Sequence, residues 1–138
     1  HPNPEVRRPA QELLGDHPRI RLTHPVDYFD LVAALKAADL VLTDSGGIQE
    51  EAPTFGVPVV VLREVTERPE GVDAGVATLV GTSFERIVEA AEAALSGTAA
   101  PAEIANPYGD GSAAERIADI VVSDLTGAPR TTTDWTAA

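Results

Sequence analysis

Asp44-Ser45-Gly46-Gly47-Ile48-Gln49-Glu50-Glu51 puts two adjacent glycines and two adjacent carboxylates into one short segment. The segment follows an apolar run, Leu40-Val41-Leu42-Thr43, that reads as a strand, and it opens what reads as a helix. Glycines at such a junction let backbone amides come close to an anion, and the start of a helix aims its positive end at the same place. Carboxylates beside a phosphate are repulsive unless hydroxyl donors occupy one of them, as a ribose does. The junction therefore asks for a nucleotide. Adjacent helical residues point about 100° apart, so only one of the two glutamates faces such a ligand. Glu51 is the choice, with Glu50 left to complement the helix dipole. Arg68, in Thr66-Glu67-Arg68-Pro69-Glu70, offers a guanidinium for charge-assisted hydrogen bonds. Arg63, at a strand end, is a second choice. Each feature also has a plainer reading. Ser45-Gly46-Gly47 serves equally as an N-cap and tight turn, Arg68 as a surface ion pair with Glu67 or Glu70, and Gln49 stays ambiguous.

These residues need a scaffold that brings two chain segments to one place. Short apolar runs at Ile20-Arg21-Leu22, Leu40 to Thr43, Val57 to Leu62 and Thr78-Leu79-Val80 alternate with helical patterns. Their β-branched, non-alternating character suits strands covered on both faces. Leu31, Leu35 and Ala38 share one helix face, as do Ile48, Ala52 and Phe55, after which Gly56 and Pro58 end the helix. Thr82 and Glu85 have the spacing of a capping box ahead of Ile87, Val88, Ala91 and Leu95. The turn-dense Asn106-Pro107-Tyr108-Gly109-Asp110-Gly111 precedes a last helix marked by Ala113, Ile117, Ile120 and Val121, with Asp110 or Ser112 as its cap. The pattern predicts a doubly wound α/β sheet whose ligand sits beyond the carboxyl ends of the strands, where Ser45 and the Arg63 to Glu70 stretch both fall.

With 138 residues the chain holds one core. Its 22 acidic and 10 basic side chains give a formal net charge of -12, which argues against nucleic acid or an anionic membrane surface as partner. Zero cysteines exclude disulfides, a thiol nucleophile and cysteine-bound metal. No apolar run has the roughly 20 residues of a membrane span. His1, His17 and His24 lack metal-ligand spacing, and no metal or cofactor is expected. His24, at the end of the Ile20 run, is the one histidine on the ligand side of the expected sheet. With no methionine in the chain, His1 looks like a cut edge.

Five strings occur in one order: His1-Pro2-Asn3-Pro4, Thr43 to Pro53, Val61-Leu62-Arg63, Thr66 to Glu70 and Asn106 to Gly111. Together they closely resemble the non-hydrolysing UDP-N-acetylglucosamine 2-epimerases, from His1 to about Leu125. The resemblance implies the C-terminal, nucleotide-holding Rossmann-like domain of a two-domain GT-B type fold. It implies an enzyme interconverting UDP-GlcNAc and UDP-ManNAc, by eliminating UDP to give 2-acetamidoglucal and adding it back with C2 inverted. Ser45, Gly46 and Gly47 would then contact the diphosphate, Glu51 the ribose hydroxyls, and Arg68 the nucleotide.

The resemblance assigns the carboxylates that handle the C2 proton to an N-terminal domain outside this chain, so no catalytic residue is assigned here and the chain alone is expected to be inactive. An Arg-Glu-Asn-bearing loop is absent too. The family often has Gln where Val26 stands and an aromatic near Leu31, which leaves the uracil contacts open. The expected organisation is a partial domain over 1–126, lacking its first two strands, and a flexible tail over 127–138 with Trp135 unpacked. Without those strands, the Ile20 strand must shift against its Leu40 neighbour or pair with another molecule. A cytoplasmic, homodimeric parent serving cell-envelope polysaccharide is implied as well. Two rivals stand: a stand-alone nucleotide-sugar-binding module, and the donor domain of a GT-B glycosyltransferase.

Overall fold

A computed structural model describes residues 2–97 and 106–136. The chain divides into two units, His1–Ala37 and Ala38–Ala138. The first holds two helices. Helix α1 (Pro4–Leu14) starts where the Asn3 side chain accepts the Glu5 N–H at 2.9 Å, with Pro4 fitting a first turn that needs no amide donor. Helix α2 (Tyr28–Lys36) is capped by Asp27, which accepts the Asp30 N–H at 2.9 Å, and it buries Leu35. The expected strand at Ile20-Arg21-Leu22 does not form: these residues are irregular, and Ile20 and Leu22 are exposed. A strand has no hydrogen bonds of its own, and none of the strands among the described residues pairs with this segment.

The second unit is a three-stranded parallel sheet in the order β1 (Val41–Thr43), β2 (Val59–Val61), β3 (Ala77–Leu79). The register pairs Val41 with Val59 and Val59 with Ala77. Val59, Val60 and Val61 are all buried, so the central strand is covered on both faces, as its non-alternating run predicts. Pro58, which has no N–H, sits just before that strand, and its carbonyl accepts from Val41 at 3.0 Å. Ala52, Val57, Ala77 and Val80 complete the apolar core of this unit. The result is a Rossmann-like α/β domain.

Helix α3 (Gly46–Glu51) leaves the carboxyl end of β1 and tightens into a 3-10 turn over Ala52–Phe55. Pro53 lacks the amide that would continue the α-helical pattern, and Gly56 ends the turn at φ 70°. The buried face is Gln49, Ala52 and Pro53, rotated from the expected Ile48, Ala52 and Phe55. The loop after β2 runs through Arg63 to Arg68 into α4 (Pro69–Asp73). Helix α5 (Phe84–Leu95) is capped by Ser83, one residue past the expected Thr82. The Ser83 hydroxyl accepts the Arg86 N–H at 3.4 Å and donates to Glu85 at 2.9 Å.

Helix α6 (Ala113–Thr126) begins at Ser112, whose side chain makes no cap bond, while Asp110 accepts the Ser112 N–H at 3.0 Å. Its apolar residues Ile117, Ile120 and Val121 are exposed. Its polar face instead holds the segment expected to be loose. Asp119 accepts from the Thr131 and Thr132 amides and hydroxyls at 2.7–2.9 Å. Trp135, expected to be unpacked, is half-buried.

Candidate functional site

The carboxyl ends of β1 and β2 deliver the two segments that carry the candidate residues. Ser45 caps α3 by backbone position alone, because its hydroxyl makes no cap bond. The N–H groups of Gly46, Gly47 and Ile48 lie in the first turn, where no intrahelical acceptor exists for them. Gly47 and Glu51 are four residues apart and share one helix face. A Cβ added at Gly47 would lie 3.9 Å from Glu51 Oε1 and 3.9 Å from Ser45 Oγ. One added at Gly46 would lie 3.7 Å from Arg68 Nη2 and 3.6 Å from Glu67 Oε1. The structure thus brings Ser45, Gly46, Gly47, Glu51 and Arg68 together.

Three polar groups in this cluster are left over. Glu51 Oε2 is buried and has no hydrogen-bond partner among the described residues. The Ser45 hydroxyl is not used in capping. Arg68 binds Glu50 through Nε and donates to the Glu67 carbonyl through Nη1 at 3.2 Å, while Nη2 makes no hydrogen bond among the described residues and faces Gly46. A buried carboxylate oxygen without a donor costs free energy. Ligand hydroxyls would satisfy it.

Charge in the site is arranged around Arg68. Its hydrogen bond to Glu50 raises its pKa further, so it is a permanent cation. The Glu67 carboxyl is held below the usual carboxylate range, chiefly by its own backbone N–H and then by Arg63, whose guanidinium lies 2.7 Å away. Arg63, the second choice, is therefore engaged at the rim. Glu50 is the counter-charge of Arg68 rather than only a complement to the helix dipole. His24 lines a cleft within the 1–37 unit with Arg7 and Gln11.

Residue types alone do not reveal what fixes the cluster. Gln49 is fully buried: its Nε2 donates to the Ser45 carbonyl at 3.2 Å and its Oε1 accepts from the Thr66 hydroxyl at 2.7 Å. Thr66 Oγ1 in turn accepts the Arg68 N–H at 3.1 Å. On the other side the Tyr108 hydroxyl donates to the Arg68 carbonyl at 3.4 Å. Gly71 leaves room for that ring, since an added Cβ would lie 2.5 Å from the Tyr108 oxygen. Burial raises the Tyr108 pKa, so it stays a donor. The Asn106 to Gly111 turn thereby supports the site as well as leading into α6. The signal for Gln49 was its spacing from Ala52 and Pro53, the i, i+3, i+4 of a buried face.

Among the described residues no acidic or histidine cluster suits a metal ion, and no helix is long and apolar enough to cross a membrane.

Residues 1–122 match the family described as UDP-N-acetylglucosamine 2-epimerase. The chain belongs to this family. The Escherichia coli (strain K12) UDP-N-acetylglucosamine 2-epimerase is 48% identical over 120 residues, 85% of this chain and 32% of that protein. Among solved structures, the S. aureus MnaA-UDP co-structure is similar with TM-score 0.84 at 43% identity, covering 99% of this chain and 38% of the other. The Neisseria meningitidis UDP-GlcNAc 2-epimerase bound to UDP-GlcNAc follows with TM-score 0.78 at 41% identity, covering 89% and 34%. The chain spans about a third of the length of the curated relatives it matches.

Proposed function

We propose that this chain is the UDP-holding part of an epimerase that interconverts UDP-GlcNAc and UDP-ManNAc. The observation that carries the proposal is the convergence of three groups on one turn: the Ser45 hydroxyl, Arg68 Nη2 and the Glu51 carboxylate, whose Oε1 lies by Gly47 and whose Oε2 is buried without a donor among the described residues. Solved relatives bound to UDP and to UDP-GlcNAc support the ligand class. In this reading the Gly46 and Gly47 amides, the Ser45 hydroxyl and Arg68 bind the diphosphate, while Glu51 accepts hydrogen bonds from the ribose hydroxyls.

Elimination removes the C2 proton and breaks the C1–O bond, whose electron pair leaves on UDP. Donors fixed in advance around the phosphates stabilise that charge without reorganising. Re-addition reverses the step with the proton returning on the other face of C2. The proton itself is assigned to carboxylates outside this chain, on the strength of the family resemblance. The same resemblance supports a cytoplasmic, homodimeric parent enzyme serving cell-envelope polysaccharide.

Calorimetric titration of the chain with UDP tests the reading. Weak binding is expected, lost in Glu51→Ala and in Arg68→Ala. Tight binding that ignores both substitutions contradicts the assignment, and epimerisation of UDP-GlcNAc by this chain alone contradicts the placement of its proton chemistry elsewhere.

A further inference from the structure

We infer that Gln49 and Thr66 are positioning residues that set where Arg68 stands against the Ser45-Gly46-Gly47 turn, and through it the affinity for the diphosphate. The inference rests on the UDP reading above. Gln49 is the one buried polar residue among the described residues, and both ends of its amide are matched. The Ser45 carbonyl accepts twice from it, from the backbone N–H at 3.2 Å and from Nε2 at 3.2 Å. Thr66 uses its hydroxyl in both directions, donating to Gln49 and accepting from the Arg68 amide. A continuous path thus runs from the backbone that turns Gly46 and Gly47 into place to the backbone that carries the guanidinium. The two segments are 17 residues apart in sequence, from Gln49 to Thr66, and leave different strands. Besides the tie, Arg68 is held by its ion pair with Glu50 and by the Tyr108 hydroxyl on its carbonyl, neither of which reaches the Ser45 backbone.

A side chain that merely filled the core needs volume, and an apolar one of equal size supplies it without the desolvation cost of an amide. A fully satisfied buried polar pair fixes relative position, because slipping by even one atom leaves both partners unpaired. That difference is testable. Thr66→Val keeps the shape and removes the hydroxyl, and Thr66→Ser restores it.

The test is calorimetric titration of the full chain with UDP, alongside thermal unfolding of each variant. Thr66→Val is expected to raise the UDP dissociation constant about tenfold, the scale of one or two lost hydrogen bonds, and Thr66→Ser to return it to within about twofold. If Thr66→Val does not fold, Gln49→Met, which keeps the buried volume, carries the same tenfold expectation. A lower melting temperature with unchanged UDP affinity would mean the tie only stabilises the fold, and overturns the inference. Loss of binding in Arg68→Ala with normal binding in Thr66→Val overturns the inference while leaving the UDP reading intact. A chain that shows no UDP binding at all sinks both.

Discussion

Arg68 and Arg116 are both arginines held by a carboxylate, and they are held differently. Arg116 has every guanidinium nitrogen occupied: Nη1 and Nη2 grip both oxygens of Asp110 at 2.7 and 2.6 Å, and Nε donates to the Thr133 carbonyl at 2.9 Å. Arg68 is tied at Nε and Nη1 and keeps Nη2 towards Gly46. Around Arg116 the acceptors are consumed too. On the same turn a Glu51 oxygen is buried with nothing among the described residues donating to it. A closed cluster is what a stabilising device looks like, whereas matched groups left open on one side mark a place for something else. The two regions therefore make opposite demands on ligand affinity and stability.

The largest expected effects come from exchanging the two arginines. Arg68→Ala is expected to take UDP affinity beyond the range of titration, at least about tenfold weaker, with little change in melting temperature. Arg116→Ala is expected to do the reverse, lowering the melting temperature and leaving UDP binding within about twofold. Swapped outcomes would break the comparison.

Glu51→Ala sharpens it next. Losing a carboxylate whose Oε2 is buried without a donor among the described residues is expected to keep or raise the stability of the unliganded chain while UDP binding is lost. Asp110→Ala has no such compensation and should lower the melting temperature. Glycines give a third contrast. Among the described residues Gly46→Ala meets nothing closer than 3.6 Å, and it suits a helix, so the chain should fold with an unchanged or slightly higher melting temperature and bind UDP more weakly. Gly71→Ala must displace Tyr108, and is expected to cost about 1–3 kcal/mol, read by chemical denaturation.

Acid supplies the smallest effect. Hydrogen bonds from the Thr132 amide and hydroxyl lower the Asp119 pKa from 3.8 to about 2. A depressed carboxylate pKa stabilises the folded state fully above the unfolded value, and that contribution is lost as pH falls through the folded one. Between pH 4 and 2 the hold of α6 on Thr131 and Thr132 should therefore loosen, with the Arg116 bond to the Thr133 carbonyl remaining. Trp135, the single tryptophan, reports this as a change in emission over that window, and Asp119→Asn should remove the transition.

Much of this was legible in the residues. Three of the four expected strands form, because runs such as Val57 to Leu62 are apolar enough to be buried whatever surrounds them. The Ile20 run is not, since its strand depends wholly on a neighbour. Ser45, Gly46, Gly47, Glu51 and Arg68 gather as their types and spacing predict, because each follows the carboxyl end of a strand. Gln49 and Thr66 were illegible as a pair: the spacing of Gln49 from Ala52 and Pro53 hints at burial, but nothing in it names a partner 17 residues away. The grip of Asp119 on Thr131 and Thr132 has the same character, which is why a tail of small polar residues reads as loose. Glu50 and Glu51 were separable by helix geometry, but the attachment of Glu50 to Arg68 needed the loop.

The central claim proposed is that the Ser45 to Glu51 turn and Arg68 form one open UDP site, with Ser45, Gly46, Gly47 and Arg68 on the diphosphate. It is tested most directly by titrating the 15N-labelled chain with UDP while following the Gly46 and Gly47 amides and the Nε–H groups of both arginines. Concerted shifts at Gly46, Gly47 and Arg68, with Arg116 unmoved, are the result expected. Shifts centred elsewhere, or at Arg116 as much as at Arg68, would contradict it.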